Sequence, residues 1–359
     1  MRIGISCNRF GRGGGLERYA LDVAGALAAD PRDRVVVYAR EFDEVPGMPV
    51  VEARRIGVRG WPGKWRDQLF SYRLQSQRGH CDVLISCNRV RGADIAICGG
   101  THRGYLKARG TPARLSDRSL IRLESDFYAG AARVVAHSRL MRDELRELYG
   151  LGEDRIELLY PPVDTQRFGP VDRQARRALR ERYGFADDEV VFLFPSSGHQ
   201  RKGLGLLADY FERTALPVTL AVAGRPVGRR LPRMRELGYV ADIENLYRAA
   251  DFSILASDYE PFGLVGVESV LCGTPLVFAD NIACLEVLDA QAAHAFSRSA
   301  PGSLAAAIEQ AVARSRSDAA RLHDPLAMLR YDPRLEPHAG RLRQLCERAI
   351  GVDRAEADS

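Results

Sequence analysis

No run of apolar residues in this 359-residue chain approaches the length of a membrane-crossing helix, so no transmembrane segment is expected. The first residues, 1–7, read as a buried strand and lack the apolar region and small-residue cleavage site of a secretory signal, which points to the cytosol. The seven cysteines (Cys7, Cys81, Cys87, Cys98, Cys272, Cys284 and Cys346) are odd in number and dispersed. They form no CxxC pair and no mixed Cys/His cluster, which argues against a bound metal and against a disulfide framework, and fits reduced thiols in a reducing compartment. Low-complexity segments are absent, and so are internal repeats finer than the level of whole domains.

What is present suits a soluble α/β enzyme: 46% hydrophobic residues, 28% charged residues and 33 glycines. The length exceeds what one core usually supports, so two domains are expected. The formal charge of +5 favours an anionic partner, nucleotide or phospholipid, without choosing between them.

Short β-branched runs at 34–39, 82–87, 94–98 and 133–138 alternate with helical patterns, the signature of βαβ units and a parallel sheet. The proline-marked stretch 160–170 breaks the alternation. It then restarts with a charged helix at 172–183 and strands at 189–195, 217–224, 251–257 and 275–279. Two doubly wound, Rossmann-like domains facing across a cleft follow, at 1–165 and 166–333. A helical tail at 334–359 is long enough to cross back to the first domain, with a frayed end over 355–359.

Two carboxylates, Glu260 and Glu268, flank a loop containing Pro261, Phe262 and Gly263. The preceding strand places Glu260 in a loop and the apolar run after Gly263 places Glu268 on a helix, so both acids border one crevice at the carboxyl edge of a sheet. Exposed loop glutamates are the other reading. In the first half, Gly13, Gly14 and Gly15 feed a helix whose face carries Leu16, Tyr19, Ala20, Val23 and Leu27. Free amides and the helix dipole make such a loop a phosphate site, although it is neither GxGxxG nor GxxxxGK[ST] and a plain tight turn also accounts for it. The second strand ends in Tyr38, Ala39 and Arg40 without a dinucleotide-type acid, which argues against a dehydrogenase, although Glu41 directly after keeps that reading open. Arg201 and Lys202 stand between a strand and a helix start, where two cations can neutralise a diphosphate leaving group.

These motifs, with His137-Ser138-Arg139 and the 160–168 segment in the same order, resemble the retaining, GT-B-type glycosyltransferases of family 4, and the resemblance covers nearly the whole chain. The first half is most similar to the lipopolysaccharide core heptose glucosyltransferases of that family, through 13–18 and 94–110. The resemblance implies transfer of a hexose, glucose foremost, from a UDP-sugar or other nucleoside-diphosphate sugar to a lipopolysaccharide core or related glycan. It implies that Arg201 and Lys202 contact the diphosphate, Glu268 the ribose hydroxyls, and Glu260 with the amides of Phe262, Gly263 and Leu264 the transferred sugar. Gly13, Gly14 and Gly15 would approach the donor from the first domain. Where the lipopolysaccharide group has an acid, this chain reads Gly99-Gly100-Thr101-His102. Many other members carry a histidine near there, so His102 is a candidate for holding the donor sugar or positioning the acceptor, and Glu17 is a second acceptor candidate. Retention in the family is explained by same-face attack, with the departing phosphate taking the proton. No nucleophile, cofactor or metal is then needed, and the chain has no Asp-x-Asp pair.

Between residues 103 and 122 lie six basic residues and one acid, Asp117, an excess equal to the charge of the whole chain. Arg114, Arg118 and Arg122 recur at helical spacing, joined by Lys107 and Arg109. A basic amphipathic helix of this kind can rest on an anionic leaflet, which suits a lipid-linked acceptor on the inner face of the cytoplasmic membrane; an ordinary surface helix is the alternative. Nucleic acid fits poorly, since no stacking aromatics are interleaved. Rival functions are a sister transferase using mannose or N-acetylglucosamine for capsule or exopolysaccharide, a nucleotide-sugar epimerase, and a non-catalytic binding module.

Overall fold

The computed structural model describes the chain except Arg12, 44–46, 229–230, 318–319 and 358–359, and describes the side chains of neither Lys64 nor 352–357. Two compact units result, one built from 1–162 with 333–359 and the other from 163–332.

The first unit holds β1 (Arg2–Phe10), β2 (Arg34–Phe42), β3 (Glu52–Arg55), β4 (Val83–Ser86), β5 (Ile95–Cys98), β6 (Arg133–Ala136) and β7 (Ile156–Leu158). They form one parallel sheet in the order β3-β2-β1-β4-β5-β6-β7. Its central strands are apolar on both faces because α1 (Gly15–Ala28), α2 (Arg66–Gln75), α3 (His102–Ala108), α4 (Leu115–Gly130) and α5 (Arg139–Tyr149) connect them. The strand order reverses between β1 and β4, which opens a crevice at their carboxyl ends, the usual ligand position in such sheets.

The second unit repeats the plan with β8 (Val190–Ser196), β9 (Val218–Gly224), β10 (Met234–Gly238), β11 (Phe252–Leu255), β12 (Leu276–Ala279) and β13 (Ala293–Phe296) in the parallel order β10-β9-β8-β11-β12-β13. Its helices are α6 (Arg173–Arg182), α7 (Leu204–Arg213), α8 (Ile243–Ala249), α9 (Leu264–Leu271) and α10 (Ser303–Ser315). Here the reversal lies between β8 and β11.

The last helix, α11 (Leu335–Ala357), returns to the first unit, where Ala339, Leu342, Leu345, Cys346 and Ala349 join the core around α1 and β1. It stays helical through Ala357, beyond the point where fraying is expected; residues 358–359 lie outside the described residues. All seven cysteines are buried, free thiols.

Candidate functional site

In the second unit the loop after β8 is clasped to the loop after β11. Ala256 donates its amide to the Lys202 carbonyl at 3.2 Å, and Asp258 donates to that of Arg201 at 3.0 Å. Gly203 makes this possible: its φ is +79°, and a Cβ there would lie 1.9 Å from the Ala256 carbonyl oxygen, so no other residue fits. The clasp sets Arg201 beside Glu260. The guanidinium donates to Glu260 Oε2 at 3.0 Å and to the Tyr259 carbonyl at 3.1 Å, and Ser257 Oγ donates to the same carboxylate oxygen at 3.3 Å. Lys202 Nζ donates to the Pro195 carbonyl at 2.9 Å, and burial pushes its pKa below that of free lysine, against the pull of Glu260.

Both helices that leave this crevice start on a left-handed glycine, Gly203 for α7 and Gly263 (φ +91°) for α9, and neither has a side-chain cap. Their leading amides and positive dipole ends thus flank Arg201 and Lys202, an arrangement suited to an anion. Phe262 is buried and its carbonyl accepts from Cys284 at 2.7 Å, which anchors the loop before Leu264. Glu268 lies in the second turn of α9, buried, where the hydroxyl of Tyr247 on α8 donates to its Oε2 at 3.0 Å.

In the first unit, Gly13, Gly14 and Gly15 are exposed between β1 and α1, and Gly14 caps α1 with φ −70°, a conformation open to any residue. Their use is spatial. A Cβ on Gly13 would lie 3.0 Å from Glu17 Cβ, and one on Gly14 2.9 Å from Glu17 Oε2, so the Glu17 carboxylate folds back over the helix start. That carboxylate already answers the positive end of α1, and a phosphate there would meet like charge, whereas a sugar hydroxyl would meet an acceptor.

The turn after β5 packs on the same place, since a Cβ on Gly99 would lie 2.8 Å from Leu16 Cδ2. Thr101 caps α3 by accepting from the Gly104 amide at 3.0 Å. His102 Nε2 lies 3.0 Å from Asp117 Oδ1, its ring stacks on Tyr105, and its amide donates to buried Glu124 at 2.9 Å. The Arg114 amide, and after it His102, hold the Asp117 carboxyl below the usual range. A carboxylate-oriented imidazole of this kind can hold a hydroxyl or accept its proton.

Lys107, Arg109, Arg114, Arg118 and Arg122 are all exposed. Arg114 caps α4 instead of lying within it, and Leu123 and Phe127 bury the opposite face. No helix among the described residues is long and apolar enough to cross a membrane.

The sequence reading missed Tyr247, Ser257 and the buried carboxylates Glu124 and Glu144. Tyr247, Glu124 and Glu144 are tied to the site by tertiary contacts that no local spacing encodes: Tyr247 precedes Glu268 by 21 positions and sits on another helix, and Glu124 on α4 and Glu144 on α5 meet the His102 amide and the Thr101 hydroxyl, whereas Ser257 stands only three residues before the Glu260 it meets. The Thr101 cap is the exception, because a threonine directly before a helical pattern is a legible start signal.

Two family profiles match, Glycosyltransferase Family 4 over residues 13–167 and Glycosyl transferases group 1 over residues 189–314. A Burkholderia thailandensis protein described as a probable transglycosylase is 53% identical over 355 residues, which cover 97% of this chain and 98% of that protein. Among solved structures, WaaG, a glycosyltransferase involved in lipopolysaccharide biosynthesis, superposes with a TM-score of 0.79 at 16% identity, covering 98% of this chain and 99% of WaaG. Anabaena Alr3699/HepE, solved in complex with UDP and glucose, gives a TM-score of 0.74 at 16% identity, with 96% and 98% covered. The chain therefore belongs to the glycosyltransferases of family 4 and group 1, and its fold is GT-B.

Proposed function

We propose that this glycosyltransferase moves a hexose, with retention of configuration, from a nucleoside-diphosphate sugar to a hydroxyl of a lipid-linked glycan of the lipopolysaccharide-core kind. The observation that carries the reading is the Arg201–Glu260 pair, 3.0 Å apart at the strand-order reversal, with Lys202 and two uncapped helix starts beside it. One group of the pair suits the diphosphate and the other the sugar. When a donor binds, its phosphates take over the guanidinium and its hydroxyls donate to the carboxylate, so both groups keep hydrogen-bond partners. As the bond to the anomeric carbon breaks, negative charge grows on the diphosphate, and Arg201, Lys202 and the two helix ends stabilise it with little reorganisation.

Glu268, oriented by Tyr247, accepts from the ribose hydroxyls in this reading. His102, held by Asp117, and Glu17 position the acceptor hydroxyl, and the departing phosphate takes its proton. The residues named supply the whole reaction, so the proposal adds neither metal nor cofactor. The solved complexes of Alr3699/HepE with UDP-glucose and with UDP and glucose support a UDP-sugar donor, and the likeness to WaaG supports a lipopolysaccharide acceptor. Exposed Lys107, Arg109, Arg114, Arg118 and Arg122 support docking on the inner face of the membrane, at about 1 kcal/mol for each residue near the surface.

Calorimetric titration with UDP tests the donor half. Arg201→Ala and Glu268→Ala are each expected to weaken binding about tenfold or more, the loss of a charge-assisted hydrogen bond. Unchanged affinity in both variants would show that the nucleotide sits elsewhere.

A further inference from the structure

The chain has two tryptophans, and both are exposed: Trp61 at 50% and Trp65 at 46%. They lie in the short connection that leads into α2, with Trp65 as the residue capping that helix. A soluble protein gains nothing from holding its largest apolar side chains in water, whereas an indole, apolar in body and polar at its N–H, is at home at a lipid headgroup boundary.

The contacts of α2 show what stands beside them. Gln68 on α2 donates to the Ser119 carbonyl on α4 at 3.2 Å. Three residues further along α2, Ser71 accepts from the Arg91 amide at 2.9 Å, and the Arg91 guanidinium donates to Asp126, seven residues further along α4. Both ties advance in the same sense along the two helices, so the helices run side by side in one direction and their N-termini share one end. Trp65 is one turn before the Gln68 tie. Leu115, 82% exposed, is one turn before Ser119.

This end of the unit therefore presents Trp61, Trp65 and Leu115 together with exposed Arg66, Arg114 and Arg118. The nearest acids are already engaged, Asp67 by Arg40 and Asp117 by His102 and the Arg114 amide. An apolar tip ringed by unopposed cations matches one partner, an anionic bilayer surface. We infer that Trp61, Trp65 and Leu115 insert into the headgroup layer of an anionic membrane while the arginines beside them pair with lipid phosphates. The inference rests on the membrane reading proposed above and adds to it an apolar anchor made by the tryptophans beside the basic helix and by Leu115 at that helix's start.

Because no other tryptophan exists, tryptophan emission, excited at the red edge where tyrosine absorbs little, reports this face alone. The experiment titrates the full chain with vesicles of phosphatidylcholine and phosphatidylglycerol, and with phosphatidylcholine alone. It reads flotation, tryptophan emission and quenching by lipids that carry a nitroxide near the headgroup. The expected result is flotation on the anionic vesicles with emission moved to shorter wavelength and quenched by the nitroxide. Replacing both tryptophans (Trp61→Ser with Trp65→Ser) should raise the lipid concentration for half-binding about tenfold or more. That variant should keep its circular dichroism and its turnover of a water-soluble acceptor. Flotation with unaltered emission and no quenching would overturn the anchor and leave binding by the basic helix standing. Absence of flotation would overturn both, and equal binding to phosphatidylcholine alone would overturn the choice of an anionic surface.

Discussion

Gly203 and Gly14 both precede a helix, yet they answer to different physics, and that difference is measurable. At Gly203 the backbone is left-handed and the Ala256 carbonyl oxygen stands 1.9 Å from where a Cβ would be. Gly203→Ala is expected to cost the αL penalty of about 1–2 kcal/mol and, in addition, to prise the clasp between the β8 and β11 loops, lowering the urea midpoint and displacing Arg201. At Gly14 the φ of −70° is ordinary, and the neighbour 2.9 Å away is the movable end of Glu17. Gly14→Ala should therefore leave the midpoint within about 0.5 kcal/mol of the parent and change only where Glu17 points. Equal losses in the two variants would contradict the assignment of Gly203 as the backbone constraint. The same contrast shows which part of the site was open to sequence reasoning. Residue types and order placed Arg201, Lys202, Glu260 and Glu268 around a loop and a helix start. They could not show that Arg201 is paired with Glu260, or that Tyr247 orients Glu268, because those partners meet only through the packing of separate elements.

Helix α11 is fastened to the first unit through a buried aromatic cluster whose chemistry makes the fastening sensitive to acid. His338 Nε2 pairs with the Tyr19 hydroxyl at 2.8 Å and its Nδ1 lies 3.0 Å from the Tyr160 carbonyl oxygen. His137 packs edge-on against Tyr19, and among the described residues its Nε2 has no partner. Burial, and for His137 also the neighbouring His338, lowers the two imidazoles to about 3 and about 4, so the folded chain keeps both neutral. The unfolded chain takes up protons from about pH 6.5 downward. It thus binds more protons than the folded chain below that pH, and stability must fall as the pH falls. The urea midpoint is expected to drop between pH 6.5 and 5, a window above most carboxylate titrations, and His338→Gln should flatten that slope. A wild-type midpoint that stays level over this window would show the cluster to be hydrated. Elements also mark the limit of what the sequence disclosed about the fold. Every interior strand was legible as a β-branched run, while β3, β7, β10 and β13 were not, and these four are the edges of the two sheets. An edge strand has less apolar surface to bury, so Glu52–Arg55 and Met234–Gly238 carry charge where an interior strand carries valine.

At the scale of the whole molecule, the proposed reaction assigns a different part of the transfer to each of the two parallel-sheet units. The second unit gathers cations, helix dipoles and two acids at its strand-order reversal, suited to an activated sugar. The first sets a carboxylate-oriented histidine and Glu17 near its own reversal, suited to a hydroxyl, and carries the basic face. The doubly wound plan was legible from the alternation of strands and helices; the return of α11 into the first core rested on length alone and is explained by its apolar stripe from Ala339 to Ala349. The most direct test incubates the purified chain with nucleoside-diphosphate sugars and truncated core oligosaccharides, and reads the products by mass spectrometry and anomeric proton coupling. The account predicts an acceptor extended by one hexose, with the configuration of the donor and one nucleoside diphosphate released for each transfer. An intact donor under all conditions, an isomerised donor without acceptor, or a product of inverted configuration would contradict it.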